Sequence, residues 1–93
     1  MPVTFHIPGP LRVFADGLRV VKIRTSPSNV RDALELLYIE YPGIRDRLIN
    51  EEGRLREHIN IFVGDENIRE TGDFGTPLLA HAEISIVPAV SGG

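Results

Sequence analysis

At the start of the chain Val3, Phe5 and Ile7 alternate with Thr4 and His6, the period-two pattern of a half-buried strand. Pro8-Gly9-Pro10 ends it. A short segment over 11–14 and the turn signal Asp16-Gly17 then lead into a β-branched run over 18–24 that holds Val20, Val21 and Ile23. The two runs predict a hairpin with an irregular connection. Beyond them the period changes. Val30, Ala33, Leu34, Leu37, Tyr38 and Tyr41 fall at i, i+3, i+4, i+7, i+8 and i+11, one face of an amphipathic helix. Asn29 with Asp32 resembles a capping box, and Ser26-Pro27 is an equally legal start. Pro42-Gly43 stops the helix.

Over 44–58 the pattern weakens, with Ile44, Leu48, Ile49 and Leu55 scattered among arginines and acids. This predicts a short helical turn and then a polar loop. Residues 59–63 read as a third strand, Gly64-Asp65 as a turn, and 67–70 as a short fourth strand. A loop over 72–77 follows, with Leu78-Leu79 as a core anchor and 84–87 as the last strand. The order β-β-α-β-β-β predicts an α+β fold, a sheet of about five strands packed on one main helix.

Composition narrows the function more than the fold. At 93 residues the chain has material for one core, and apolar residues at 42% are enough to fill it. The net charge is −3 and the basic residues are scattered, which argues against nucleic acid as the main partner. No stretch approaches the ~18 apolar residues of a membrane span, and the N-terminus lacks a signal-peptide pattern, so the chain reads as cytoplasmic. With no cysteine, disulfides, thiolate metal sites and a cysteine nucleophile are all excluded. His6, His58 and His81 are too far apart and too plain in context to propose a metal site, and no Ser/His/Asp arrangement or phosphate-cradling glycine loop is present. The chain does not read as an enzyme.

The tail is the chemically distinctive part. After Pro88 the sequence reads Ala89-Val90-Ser91-Gly92-Gly93, a small, uncharged segment running off the last strand. Four residues, 90–93, reach about 13–14 Å. Two glycines, lacking Cβ atoms, can thread a channel whose walls touch the backbone from both sides.

This ending on a one-helix sheet resembles the ubiquitin-like β-grasp sulfur carriers, the small subunit of molybdopterin synthase and the thiazole-synthesis carrier among them. Their hallmark is a Pro-(Pro/Ala)-Val-x-Gly-Gly ending, here Pro88-Ala89-Val90-Ser91-Gly92-Gly93. Within that family the chain is most similar to the carrier dedicated to cysteine synthase. The likeness rests on Ile7-Pro8, Tyr41-Pro42-Gly43-Ile44, the charged insertion 45–58, Asn60-Ile61-Phe62-Val63 and Asp65-Glu66-Asn67-Ile68-Arg69. One departure is Ala80-His81-Ala82, where the family tends to have Asp-Gly-Asp. The resemblance implies a β-grasp domain over 1–88 and a flexible Gly-Gly tail over 89–93.

It also implies a mechanism. An ATP-dependent activating enzyme would adenylate the Gly93 carboxylate, and a sulfur donor would displace AMP to leave a thiocarboxylate. That group would give its sulfur to an acceptor enzyme, cysteine synthase-like or the molybdopterin synthase large subunit. No cofactor stays on the carrier, and a monomer keeps the tail accessible. Ordering the four residues 90–93 costs roughly 1–2 kcal/mol each, so contacts near the base of the tail must offset it. If Ile59, Ile61 and Val63 face the helix, Phe62 faces out; if Ile84 and Ile86 face in, Val87 faces out. Phe62 and Val87, with Pro88, Ala89, Val90 and Ser91, are the predicted docking residues, and Gly92 and Gly93 the reactive end.

Two other readings share these residues. A protein modifier would join Gly93 to lysines of target proteins, and Lys22, the sole lysine, limits linkage between copies. A β-grasp interaction module would leave the tail idle.

Overall fold

The computed structural model describes residues 3–88. The strands are β1 (Val3–His6), β2 (Val20–Ile23), β3 (Ile59–Val63), β4 (Glu66–Asn67) and β5 (Glu83–Pro88). The helices are α1 (Val30–Glu40), α2 (Arg45–Leu48) and α3 (Ile68–Thr71). The strands form one mixed sheet in the order β2-β1-β5-β3-β4. The first and last strands lie parallel at its centre, Phe5 beside Ile84, and hairpin neighbours flank them antiparallel. This is the β-grasp arrangement that the resemblance implies.

Alternation decides what each strand buries. Val3, Phe5, Val21, Ile23, Ile59, Ile61, Ile84 and Ile86 all turn to one face and are buried. Against that face α1 lays Val30, Ala33, Leu34, Leu37 and Tyr38. The helix starts at Asn29 and not at Ser26. Asn29 has extended backbone, and its Oδ1 accepts the Asp32 N–H at 2.8 Å. Pro42 then opens a 3-10 turn, Pro42–Ile44, which passes into α2. Gly43 is there for space: a Cβ on it would stand 3.0 Å from the Phe14 ring, whose face carries Arg47 at 4.7 Å.

Several expectations change. The link over 11–14 is a 3-10 helix, Gly9–Ala15, which buries Leu11 and Ala15, so β2 begins at Val20 and not at 18. The strand expected over 67–70 ends at Asn67. Asn67 Oδ1 accepts the Arg69 N–H at 3.0 Å and caps α3, which drives Ile68 into the core. Of the expected anchor pair, Leu78 packs partly against the core, but Leu79 is 84% exposed. The Leu78 N–H is held by the Ser28 carbonyl, and the next residues turn away through His81 at φ 63°. The polar loop after α2 is tighter than its composition suggests, because Asn50 Oδ1 accepts from both Glu52 and Arg54 N–H.

One buried group is unfavourable. The Tyr38 hydroxyl is buried with no hydrogen-bond partner among the described residues. Burial pushes it above the usual phenol range, the Glu35 carboxylate adds to this, and Arg45 opposes it. Tyr38→Phe is expected to stabilise the fold by about 1 kcal/mol, read as a higher urea midpoint at neutral pH. The folded chain keeps this proton where an unfolded tyrosine loses it, so the native chain's stability is unaffected by this group's titration below pH about 10 and declines as pH rises beyond it. The substitution should flatten that alkaline decline. A lower midpoint would show that the hydroxyl is paired in solution.

Candidate functional site at the end of the central strand

The sheet face opposite α1 is partly exposed among the described residues. Across it the register lines up Val20, His6, Ser85, Phe62 and Asn67, one residue from each strand. Next along β5 comes Val87, opposite Asn60, and then Pro88, opposite Ile59. The described residues therefore end on the middle strand of the sheet. Val87 is 40% exposed on this outer face, and Phe62 is half-buried on the same face. Pro88 ends the described residues. Ala89, Val90, Ser91, Gly92 and Gly93, with the tail predicted for them, lie outside these.

Beside Val87 the surface dips into an open depression between β1, β2 and β5, lined by His6, Pro8, Arg12, Arg19, Val20 and Val87 among others. Arg12 is held there because its Nε donates to the Ile7 carbonyl at 3.0 Å. Val20, 41% exposed, stands across from Val87, and the exposed Leu18 precedes it on the chain. His6 Nε2 lies 2.6 Å from Glu83 Oε1 on the same face. The outcome is an apolar rim with two guanidinium side chains, on a chain whose net charge is −3.

Of this patch the sequence singled out Phe62 and Val87, and the structure places both on the outer face. It missed Leu18, Val20, Arg12 and Arg19. Alternation within β2 is a usable signal for Val20, since Val21 and Ile23 are buried and Val20 and Lys22 exposed. Nothing local signals that Val20 and Val87 line one depression, because β1 and β5 must first pair. Among the described residues, no group of three or more His, Asp or Glu side chains is placed to hold a metal ion. No helix among them is long and apolar enough to cross a membrane.

The model of the ThiS family matches residues 5–93, nearly all of the chain. The chain belongs to the ThiS family. Among curated relatives, the sulfur carrier protein CysO of Mycobacterium tuberculosis is 34% identical over 95 residues, with 100% of both chains covered. Small archaeal modifier protein 1 of Haloferax volcanii is 31% identical over 88 residues, 88% of this chain and 97% of that one. Among solved structures, the Amycolatopsis orientalis complex of BexX and CysO matches with TM-score 0.86 and 31% identity, covering 98% of this chain and 99% of that one. This ThiS-family chain is thus a ubiquitin-like sulfur carrier with a β-grasp fold, a small carrier protein and not a catalyst. That role fits an outer face with apolar and cationic groups around a strand end.

Proposed function

We propose that this chain carries sulfur as a thiocarboxylate on Gly93, working as a cytosolic co-substrate of two partner enzymes. The carrying observation is the position of Val87 and Pro88: the reactive residues follow directly on the central strand, beside an exposed apolar and cationic patch. A free carboxylate resists attack because of its charge. An ATP-dependent activating enzyme removes that resistance by joining the Gly93 carboxyl to AMP, with pyrophosphate leaving. Sulfide, or the terminal sulfur of a persulfide cleaved by a reductant, then takes the place of AMP at the carbonyl carbon. The patch of Val87, Phe62 and Val20, with Arg12 and Arg19, docks the partner, and residues 89–93 enter its active site. The carrier holds no cofactor of its own in this scheme.

A cysteine synthase-like acceptor is the preferred recipient. The full-length likeness to CysO supports this, as does the resemblance over 41–44, 45–58 and 60–63. A second reading has one observation behind it: the similarity to a small archaeal modifier protein, which is consistent with joining Gly93 to lysines instead.

Intact mass is the direct test. After incubation with ATP, an activating enzyme and a sulfur donor, the full-length chain should gain the mass of one oxygen-to-sulfur exchange, and a chain lacking Gly92-Gly93 should gain none. Val87→Asp places an acid at the base of the tail and should slow loading about 10-fold or more, since a buried charge at an interface costs at least 1.4 kcal/mol. No mass change with several active partner enzymes would sink the carrier chemistry. Adducts on other proteins, released by isopeptide cleavage, would establish the modifier reading.

A further inference from the structure

β4 is only 2 residues long and pairs with Phe62 and Val63 alone, so the first part of β3 has no strand on that side. An arginine fills the gap. Arg69 Nη2 donates to the Ile59 carbonyl at 2.7 Å and to the Arg56 carbonyl at 2.8 Å. The Arg56 carbonyl also accepts the Ile59 N–H at 3.0 Å, so one guanidinium closes the turn that starts β3. Its Nε reaches Asn60 Oδ1 at 3.3 Å, an oxygen that also accepts from Asn67 Nδ2 at 3.3 Å. The Arg69 N–H bonds to Asn67 Oδ1, which fixes the base of the side chain. The head and the base of Arg69 are thus both held.

The pinned segment has a specific partner. Ile59 stands opposite Pro88 and Asn60 opposite Val87, the last register pairs of β5. The Ile59 N–H and C=O both point away from β5, toward Arg56 and Arg69. By the alternation of an antiparallel ladder, Asn60 and Val87 are then the last pair among the described residues that exchanges backbone hydrogen bonds. We infer that Arg69 is a positioning residue of the carrier: by clamping the start of β3 it fixes the pairing of Ile59 and Asn60 with Pro88 and Val87, the residues from which the reactive tail continues. Resting on the carrier reading, this adds a residue whose contacts among the described residues are with Arg56, the start of β3 and Asn67. Without the clamp the Asn60–Val87 pair opens, residues 87 and 88 join the segment to be ordered, and Gly93 loses its fixed origin.

The test compares the native chain with Arg69→Met and Arg69→Lys. Arg69→Met should speed amide exchange at Asn60 and Val87 about 10-fold or more while leaving Phe5 and Ile84 unchanged, the mark of local opening. In loading assays its kcat should fall about 10-fold to 100-fold because the reacting atom is misplaced, with a smaller rise in KM from the freed Val87, since Phe62, Val20, Arg12 and Arg19 keep their places. Arg69→Lys can donate to one carbonyl but not form the fork, and should recover part of both effects. Equal acceleration at all four amides would reduce Arg69 to a stability residue and overturn the inference. So would a rise in KM with kcat unchanged, which would make Arg69 a contact for the partner. Native exchange rates in Arg69→Met would overturn it as well. A native chain that takes up no sulfur sinks the carrier reading, while the exchange measurement, which needs no partner, still decides the clamp.

Discussion

A chain with Gly92→Val is expected to load sulfur at least about 100-fold more slowly than the native chain, with its thermal unfolding unchanged. The reasons are steric and local. In the proposed mechanism the carboxyl carbon of the next residue presents itself to a nucleotide phosphate and then to a sulfur nucleophile, with enzyme groups on both sides of the backbone. Glycine allows that approach because it has no Cβ and tolerates positive φ; valine adds a branched side chain and forbids those conformations. A loss of about 2.7 kcal/mol at the transition state accounts for a 100-fold change. Among the described residues the buried set ends at Ile86. Gly92→Ala should fall between, because it adds one methyl group. Rates of mass gain beside melting curves are the check, and native loading by Gly92→Val would show that the tail does not thread a narrow channel.

The second large effect is on stability. Phe5→Ala should destabilise the chain by about 3–5 kcal/mol. Phe5 is fully buried in β1, with Val21 beside it on β2 and Ile84 on β5, so its loss opens a void where the two central strands meet. A domain of this size holds roughly 5–10 kcal/mol in all, so the variant should melt at least about 15 °C lower. Phe62→Ala is the contrast: Phe62 is half-buried on the outer face, and about 1 kcal/mol is expected. Denaturant midpoints of the two variants decide the matter. A Phe5→Ala cost below that of Phe62→Ala would mean that the sheet is held by its outer face.

The 3.6-residue periodicity of α1 is legible because it is local: Val30 to Tyr41 are one another's neighbours whatever the rest of the chain does. The same holds for the stop at Pro42-Gly43 and for the inside and outside of β1, β3 and β5, whereas the start stays open between Ser26 and Asn29 until the Asp32 N–H bond to Asn29 Oδ1 decides it. The proposed role of the tail rests on the sequence alone, on residue type and on its place after the last strand, and lies outside the described residues. The errors fall where a local signal met a distant constraint. Over 67–70 the sequence suits a strand, yet the Asn67 cap and the pocket for Ile68 turn the chain into α3. Leu79 has the composition of a core residue, but the backbone bond from Leu78 to Ser28 sets the direction of the turn and leaves it exposed.

For the candidate site, face and neighbourhood were decided at different levels. Alternation alone puts Val87 and Phe62 opposite the helix. That Val20, Arg12 and Arg19 gather beside Val87 follows only from the parallel pairing of β1 with β5, which joins residues about eighty positions apart. Arg69 reads in the sequence as one more exposed charge, and only the shortness of β4 gives its guanidinium two carbonyls to hold. Sequence by itself determined the elements and the buried face, because each depends on residues close along the chain. Tertiary structure decided the register, the exposed patch beside Val87 and the Arg69 contacts, because each depends on which groups come together once distant strands have met.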